Sequence, residues 1–192
     1  MAITAVQQVG SQYQKWADAG KVFVGKTGAA IAIPINTATT AAPTLWNPTN
    51  SGKKLIPIRI AMSFAAIGTQ VQSGFTLGYI LRTGDTVATG LPIATFTNIP
   101  PTNLRLGNGQ SPKALYANAT VTFTTAPTVF LDLGMGQNVQ GTAANGEPYT
   151  LRYDFNGELI VLPGTAIVVG ATAATSGTYI TSITYAELDL DE

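Results

Sequence analysis

The chain has 192 residues, of which 10% are charged and 45% hydrophobic, with ten basic residues balancing ten acidic ones and neither Cys nor His. Ordinary soluble domains carry roughly 25% charged residues, and the even balance leaves no basic field for nucleic acid or anionic lipid. The missing residue types remove disulfides, thiol nucleophiles, Cys/His metal sites and imidazole base catalysis.

At about 150 residues per domain the length predicts one domain. Thr, Asn, Gln, Ser and Gly replace charge as the polar residues. Interface cores are depleted in Lys, Glu and Asp, so the composition favours a surface covered by other subunits over a bare neutral one. Residues 1–20 differ from the rest: Gln7, Gln8, Gln12, Gln14, Lys15 and Asp18 surround Tyr13 and Trp16, between Gly10 and Gly20. They predict an extended N-terminal arm ahead of a single domain over 21–192. The start, Met1-Ala2-Ile3-Thr4-Ala5-Val6, has no basic region or continuous apolar run of a secretory signal. No apolar run approaches the ~20 residues that span a bilayer, so no membrane partner is expected.

Beyond Gly20 a two-residue period dominates. Short apolar runs at 21–24 and 29–35 fit strands, and Lys54–Phe64 then places Ile56, Ile58, Ile60, Met62 and Phe64 on one face. Phe75, Leu77, Tyr79 and Leu81 alternate with Thr76, Gly78, Ile80 and Arg82. Pro92, Pro100, Pro101, Pro112 and several Gly predict a long loop over 84–113 with at most one short edge strand. From Leu115, Ala117, Ala119, Val121 and Phe123 oppose Tyr116, Asn118, Thr120, Thr122 and Thr124; a run at 128–133 follows, then a second long loop, Gly134–Pro148. Tyr149, Leu151, Tyr153 and Phe155 form another alternating face. Asn156-Gly157 favours a two-residue type I′ turn and predicts a hairpin from 153–155 into 158–160. Pro163-Gly164 marks a further turn before 165–170, and Thr178–Leu188 is the last strand. Eight to ten such strands predict an all-β antiparallel β-sandwich, a jelly roll.

Gly20-Lys21-Val22-Phe23-Val24-Gly25-Lys26-Thr27 satisfies G-x-x-x-x-G-K-[ST]. A phosphate loop, however, follows a strand and opens a helix. Here the four intervening residues are strand-like, and Gly28–Pro34 continues as β. No nucleotide partner is therefore expected, and Thr128–Asp132, an apolar strand ending in Asp, does not alter that. Paired carboxylates are the remaining route to hydrolysis. Asp154 and Glu158 flank the predicted turn, where solvation leaves nothing to raise a pKa. Glu187, Asp189, Asp191 and Glu192 read as solvated charges on the end of an edge strand. No Asp-x-Asp-x-Asp-Gly run offers a Ca²⁺ loop. Trp16, Trp46 and Tyr116 are candidates for stacking on sugars, though Trp46 reads better as a core or interface anchor. No catalytic, cofactor-binding or metal-ligating residue is nominated.

Three segments carry a resemblance: Leu45-Trp46-Asn47-Pro48-Thr49-Asn50-Ser51-Gly52-Lys53-Lys54-Leu55, Tyr153-Asp154-Phe155-Asn156-Gly157-Glu158-Leu159-Ile160-Val161-Leu162-Pro163-Gly164-Thr165-Ala166, and Thr184-Tyr185-Ala186-Glu187. In that order they resemble a group of tailed-bacteriophage structural proteins of hypothetical or decoration type. The chain departs from that group at Leu162-Pro163, where Pro-Pro is frequent, and at Tyr-Ala-Glu, where Trp-Glu-Glu is usual. The resemblance implies a jelly-roll cement protein on the outer capsid surface of a virion, assembled in the host cytoplasm. It also implies a homotrimer bridging major capsid protein subunits. The rival expectation is a tail-fibre, spike or lectin-like module that binds a receptor through its loops.

Overall fold

A strand with one apolar face must hide it, and two sheets stacked face to face hide many at once. The computed structural model describes residues 12–37, 40–41, 43–66, 74–81, 98–107, 110–117, 121–123, 126–135, 150–173 and 177–192. The first strands are β1 (Val22–Lys26), β2 (Ile31–Ala32), β3 (Thr40–Ala41), β4 (Thr44–Trp46), β5 (Lys53–Ala66) and β6 (Gly74–Leu81). Then come β7 (Thr102–Asn103), β8 (Leu115–Ala117), β9 (Val121–Thr122) and β10 (Thr128–Met135). The last are β11 (Thr150–Asp154), β12 (Thr165–Ala171) and β13 (Thr178–Asp189).

One sheet runs β11-β5-β13-β1-β7, with β2 also on β13, and the other runs β10-β6-β12-β4-β8. All the pairings in these ladders are antiparallel. Leu55, Ile60, Met62, Ile183 and Tyr185 from the first sheet share one core with Leu45, Phe75, Leu77, Tyr116 and Ile167 from the second. The expected all-β sandwich is therefore present. The short β3–β9 pair stands apart from both sheets, and Phe123, just after β9, joins Ile80, Ala117 and Val168 in a second cluster.

Three expectations change. In β5, Leu55, Ile60 and Met62 face the main core, whereas Ile56 joins an outer cluster with Val22, Ala186 and Leu188, and Ile58 packs against it. The cause is a bulge: Thr184 pairs with Arg59 but Tyr185 with Pro57, so Ile58 is an extra residue. One extra residue exchanges the two faces of a strand. Proline, lacking an N–H, is tolerated at such a bulge.

The outer cluster needs a cover, and the arm supplies it. Where it is described the arm is not extended: residues 12–18 are helical, and Trp16 and Ala17 pack on the outer cluster. Helical spacing places these two adjacent residues, together with Tyr13, toward the sheet. Tyr13 and Trp16 rings lie 5.5 Å apart.

The Asn156-Gly157 turn forms as read, with φ of 53° and 86° and Glu158 N–H donating to the Phe155 carbonyl at 3.0 Å. The hairpin does not form. β11 pairs with β5, Asp154 opposite Arg59, and Val161 then bridges Leu55 further along the same strand. Residues 156–160 are thus an outward excursion in an edge strand that keeps its direction. At Pro163-Gly164 the expected turn is present, with Gly164 at φ 84° and Thr165 N–H donating to the Leu162 carbonyl at 3.1 Å. Among its described residues the 84–113 loop carries one short edge strand, β7; its residues 84–97 and 108–109, and residues 136–148 of the second loop, lie outside the described residues, while β10 runs on to Met135, past the expected loop start at Gly134.

Candidate functional site

The Gly20–Thr27 motif resolves into three unrelated structural duties. Gly20 ends the helix at φ 71°, with its N–H donating to the Ala17 carbonyl at 2.9 Å and the Lys21 N–H to the Trp16 carbonyl at 2.8 Å. That pair of bonds is a Schellman C-cap, which requires the left-handed conformation that glycine adopts most easily. Gly25 lies in β1 directly under the Tyr116 ring: a Cβ there would sit 2.5 Å from Cδ2 and 2.6 Å from Cγ. Thr27 is buried, its Oγ1 accepting from the Thr181 N–H at 3.0 Å and its own N–H donating to the Thr181 carbonyl at 2.9 Å. Lys26 points outward, exposed. A helix C-terminus precedes the motif and strand pairing engages it throughout, the reverse of a phosphate cradle.

The first two segments of the resemblance meet at one buried residue. Asn47, fully buried, donates Nδ2 to the Lys53 carbonyl at 2.8 Å and to the Val161 carbonyl at 2.9 Å. Its N–H reaches the Thr165 carbonyl at 3.0 Å, and its carbonyl accepts from Gly164 N–H at 2.8 Å. Residues a hundred positions apart are thereby pinned at one end of the sandwich. Trp46 beside it is buried, as an anchor should be.

Glu187 is misread by its sequence neighbourhood. It sits on β13, an interior strand of its sheet, and is 5% exposed. Its carboxylate accepts from the Lys113 N–H at 2.9 and 3.0 Å and from the Ala114 N–H at 2.8 Å. Burial pushes its pKa above the ordinary value, and these backbone donors offset that only in part. With Lys21, Lys53 and Lys113 it lines a cleft of about 350 Å³. Lys21 pairs with Glu192 and Lys53 with Asp189, so those two cations are already partly neutralised. Glu187 works here as a clamp on the 113–114 backbone.

The other carboxylates singled out from the sequence, Asp154, Glu158, Asp189, Asp191 and Glu192, are exposed, as read. Burial acts to raise the Asp154 pKa, but hydrogen bonds from Arg59 and Arg152 outweigh it and hold the group below its usual value. A general acid needs the opposite shift. Tyr116, a candidate sugar-stacking ring, is wholly enclosed, its hydroxyl donating to the Thr181 carbonyl at 3.2 Å. Among the described residues no group of three or more acidic side chains is placed to hold a metal ion, and no helix is long and apolar enough to cross a membrane.

Among the described residues, apolar surface is open to solvent in a groove and on a projecting loop. A groove of about 370 Å³ is lined by Tyr79, Phe130, Leu159, Ile160, Leu162 and Ile167 among others. Past β7, Leu104 and Leu106 project from the opposite edge of the first sheet. The sequence pattern singles out neither: the groove joins Tyr79, Phe130 and Ile167 from three strands of the second sheet to Leu159, Ile160 and Leu162, a juxtaposition only the tertiary structure makes, and the two leucines lie in a proline-rich loop. Comparison with protein-family models, curated proteins and solved structures returned no match for the chain.

Proposed function

We propose that this chain is a virion structural protein that decorates a phage capsid and cements it by bridging adjacent major capsid subunits, acting as a homotrimer without enzymatic activity. The observation that carries this reading is the junction at Asn47. The two longest segments that resemble phage decoration proteins, far apart in the chain, are bonded there into one structural unit. Turn motifs that recur together gain weight when they hold one another in place.

Two further observations support it. With β2, β3, β7, β8 and β9 set aside, the other eight strands, taken in chain order as 1 to 8, lie 1-8-3-6 in one sheet and 2-7-4-5 in the other, an order in keeping with a jelly roll. The charge-poor composition and the exposed Phe130, Ile160 and Leu162 suit a surface that other subunits cover.

Quantitative mass spectrometry and electron microscopy of purified phage particles test the reading. Several hundred copies per particle, seen as protrusions on the head, are expected. A few copies at the tail would move the chain to the receptor-binding class, and absence from particles would end both readings.

A further inference from the structure

We propose that copies of this chain associate head to tail, the Leu104–Leu106 knob of one copy seating in the apolar groove of the next. The proposal rests on the self-association in the reading above but not on a capsid.

The knob is built to project. Leu106 is 82% and Leu104 43% exposed. A single exposed leucine is ordinary, but this backbone is pinned. Asn103, itself buried, donates Nδ2 to the Gly20 carbonyl at 2.7 Å and accepts the Arg105 N–H on Oδ1 at 2.8 Å. The Leu104 N–H donates to the Val22 carbonyl at 2.9 Å, and Gly107 turns the chain away at φ 84°. An ordered projection loses little freedom on binding.

The groove is its complement. It is open to solvent, none of the described residues that line it is charged, and Phe130, Ile160 and Leu162 are 43%, 53% and 54% exposed. Tyr79 and Phe130 meet edge to face at 5.7 Å, which stiffens one wall. Charge matches as well. Arg105 stands between the two knob leucines, while on the groove side Asp132, two residues past Phe130, and Glu158, next to Leu159, are exposed. None of these three takes part in an ion pair among the described residues.

Placement decides the kind of contact. The knob follows β7 and the groove's 159–162 wall follows β11, the two edges of one sheet. Four strand spacings separate them, about 19 Å. They also lie at one level along the strands: Asn103 pairs with Phe23, Phe23 with Tyr185 and Tyr185 with Pro57, and Leu55 nearby bridges Val161. A chain cannot fill its own groove with a knob on its opposite edge. Knob-to-groove contact at equal height instead relates copies by rotation about an axis along the strands, a heterologous contact able to close into a ring.

Sedimentation equilibrium of the full chain, purified without capsid, tests this. We expect a concentration-dependent oligomer that Leu106→Asp and Ile160→Asp each weaken by more than about tenfold, with circular dichroism and melting unchanged. Each variant keeps one intact face, so an equimolar mixture should yield a two-chain species. Because the chain has no Cys, Leu106→Cys and Ile160→Cys variants report the contact directly. Oxidation should join position 106 to position 160 in the mixture and leave Leu106→Cys alone uncrosslinked. A native chain that stays monomeric, an oligomer indifferent to both aspartates, or efficient 106–106 crosslinking would overturn the proposal. An oligomer that passes these tests but is absent from particles leaves it standing and removes the capsid reading.

Discussion

Gly25→Ala separates a packing glycine from a phosphate-loop glycine. The new methyl would lie 2.5 Å from Cδ2 and 2.6 Å from Cγ of Tyr116, well inside van der Waals contact. The ring cannot swing clear, because Tyr116 is 0% exposed and its hydroxyl is tied to the Thr181 carbonyl. Overpacking of this kind costs about 1–3 kcal/mol, and at about 2–4 °C per kcal/mol for a chain of this size the Tm should fall by about 2–12 °C. Lys26→Ala removes an exposed side chain and should stay within about 0.5 kcal/mol of the parent. Urea and thermal unfolding followed by tryptophan fluorescence measure both. Combining Gly25→Ala with Tyr116→Leu should cost less than the sum of the single variants, since one defect makes room for the other. A Gly25→Ala variant as stable as the parent, or a Lys26→Ala variant less stable than Gly25→Ala, would refute the packing argument. So would Lys26-dependent ATP binding in a calorimeter.

Asn47→Ala strips the donor from two backbone carbonyls, one of them buried. It should cost about 2–4 kcal/mol in the same urea assay, and a loss under about 1 kcal/mol would mean that the junction is not a structural pin. Glu187→Ala abandons the Lys113 and Ala114 N–H groups and should cost about 2–4 kcal/mol, whereas Glu187→Gln keeps an acceptor and should lose much less. The pH dependence gives a separate sign. The Glu187 pKa is raised in the folded state, so the folded form binds this proton more tightly, and the gain is complete below the ordinary value of 4.5. It disappears as pH rises through the folded pKa. The stability of the parent relative to Glu187→Gln should therefore increase as pH falls through that window, and an opposite slope in paired denaturant titrations would contradict the burial argument. Asp154 carries the opposite sign: its pKa is lowered, chiefly by Arg59 and Arg152 acting against burial. Its contribution is present above the ordinary value and is lost as pH falls through the folded pKa, so Asp154→Asn should flatten the acid limb of the stability profile.

What the sequence determined by itself is everything that depends on near neighbours. Period-two alternation announced β5, β6, β11 and β13, and both turns formed at Asn156-Gly157 and Pro163-Gly164, because turn type follows from which residues tolerate a positive φ. The failure of the phosphate-loop reading was legible too, since what followed Thr27 was not helix-like. Tertiary structure decided the rest. The Pro57–Ile58 bulge turned Ile56 away from the core, Val161 continued along β5 where a hairpin was expected, and residues 12–18 of the arm formed a helix over the resulting apolar patch. Glu187 looked like a solvated terminal charge until β5 and β1 flanked β13 and the 113–114 backbone closed over it. Pairing partners a hundred residues apart set which face of a strand meets water, and no local window of residues contains that information.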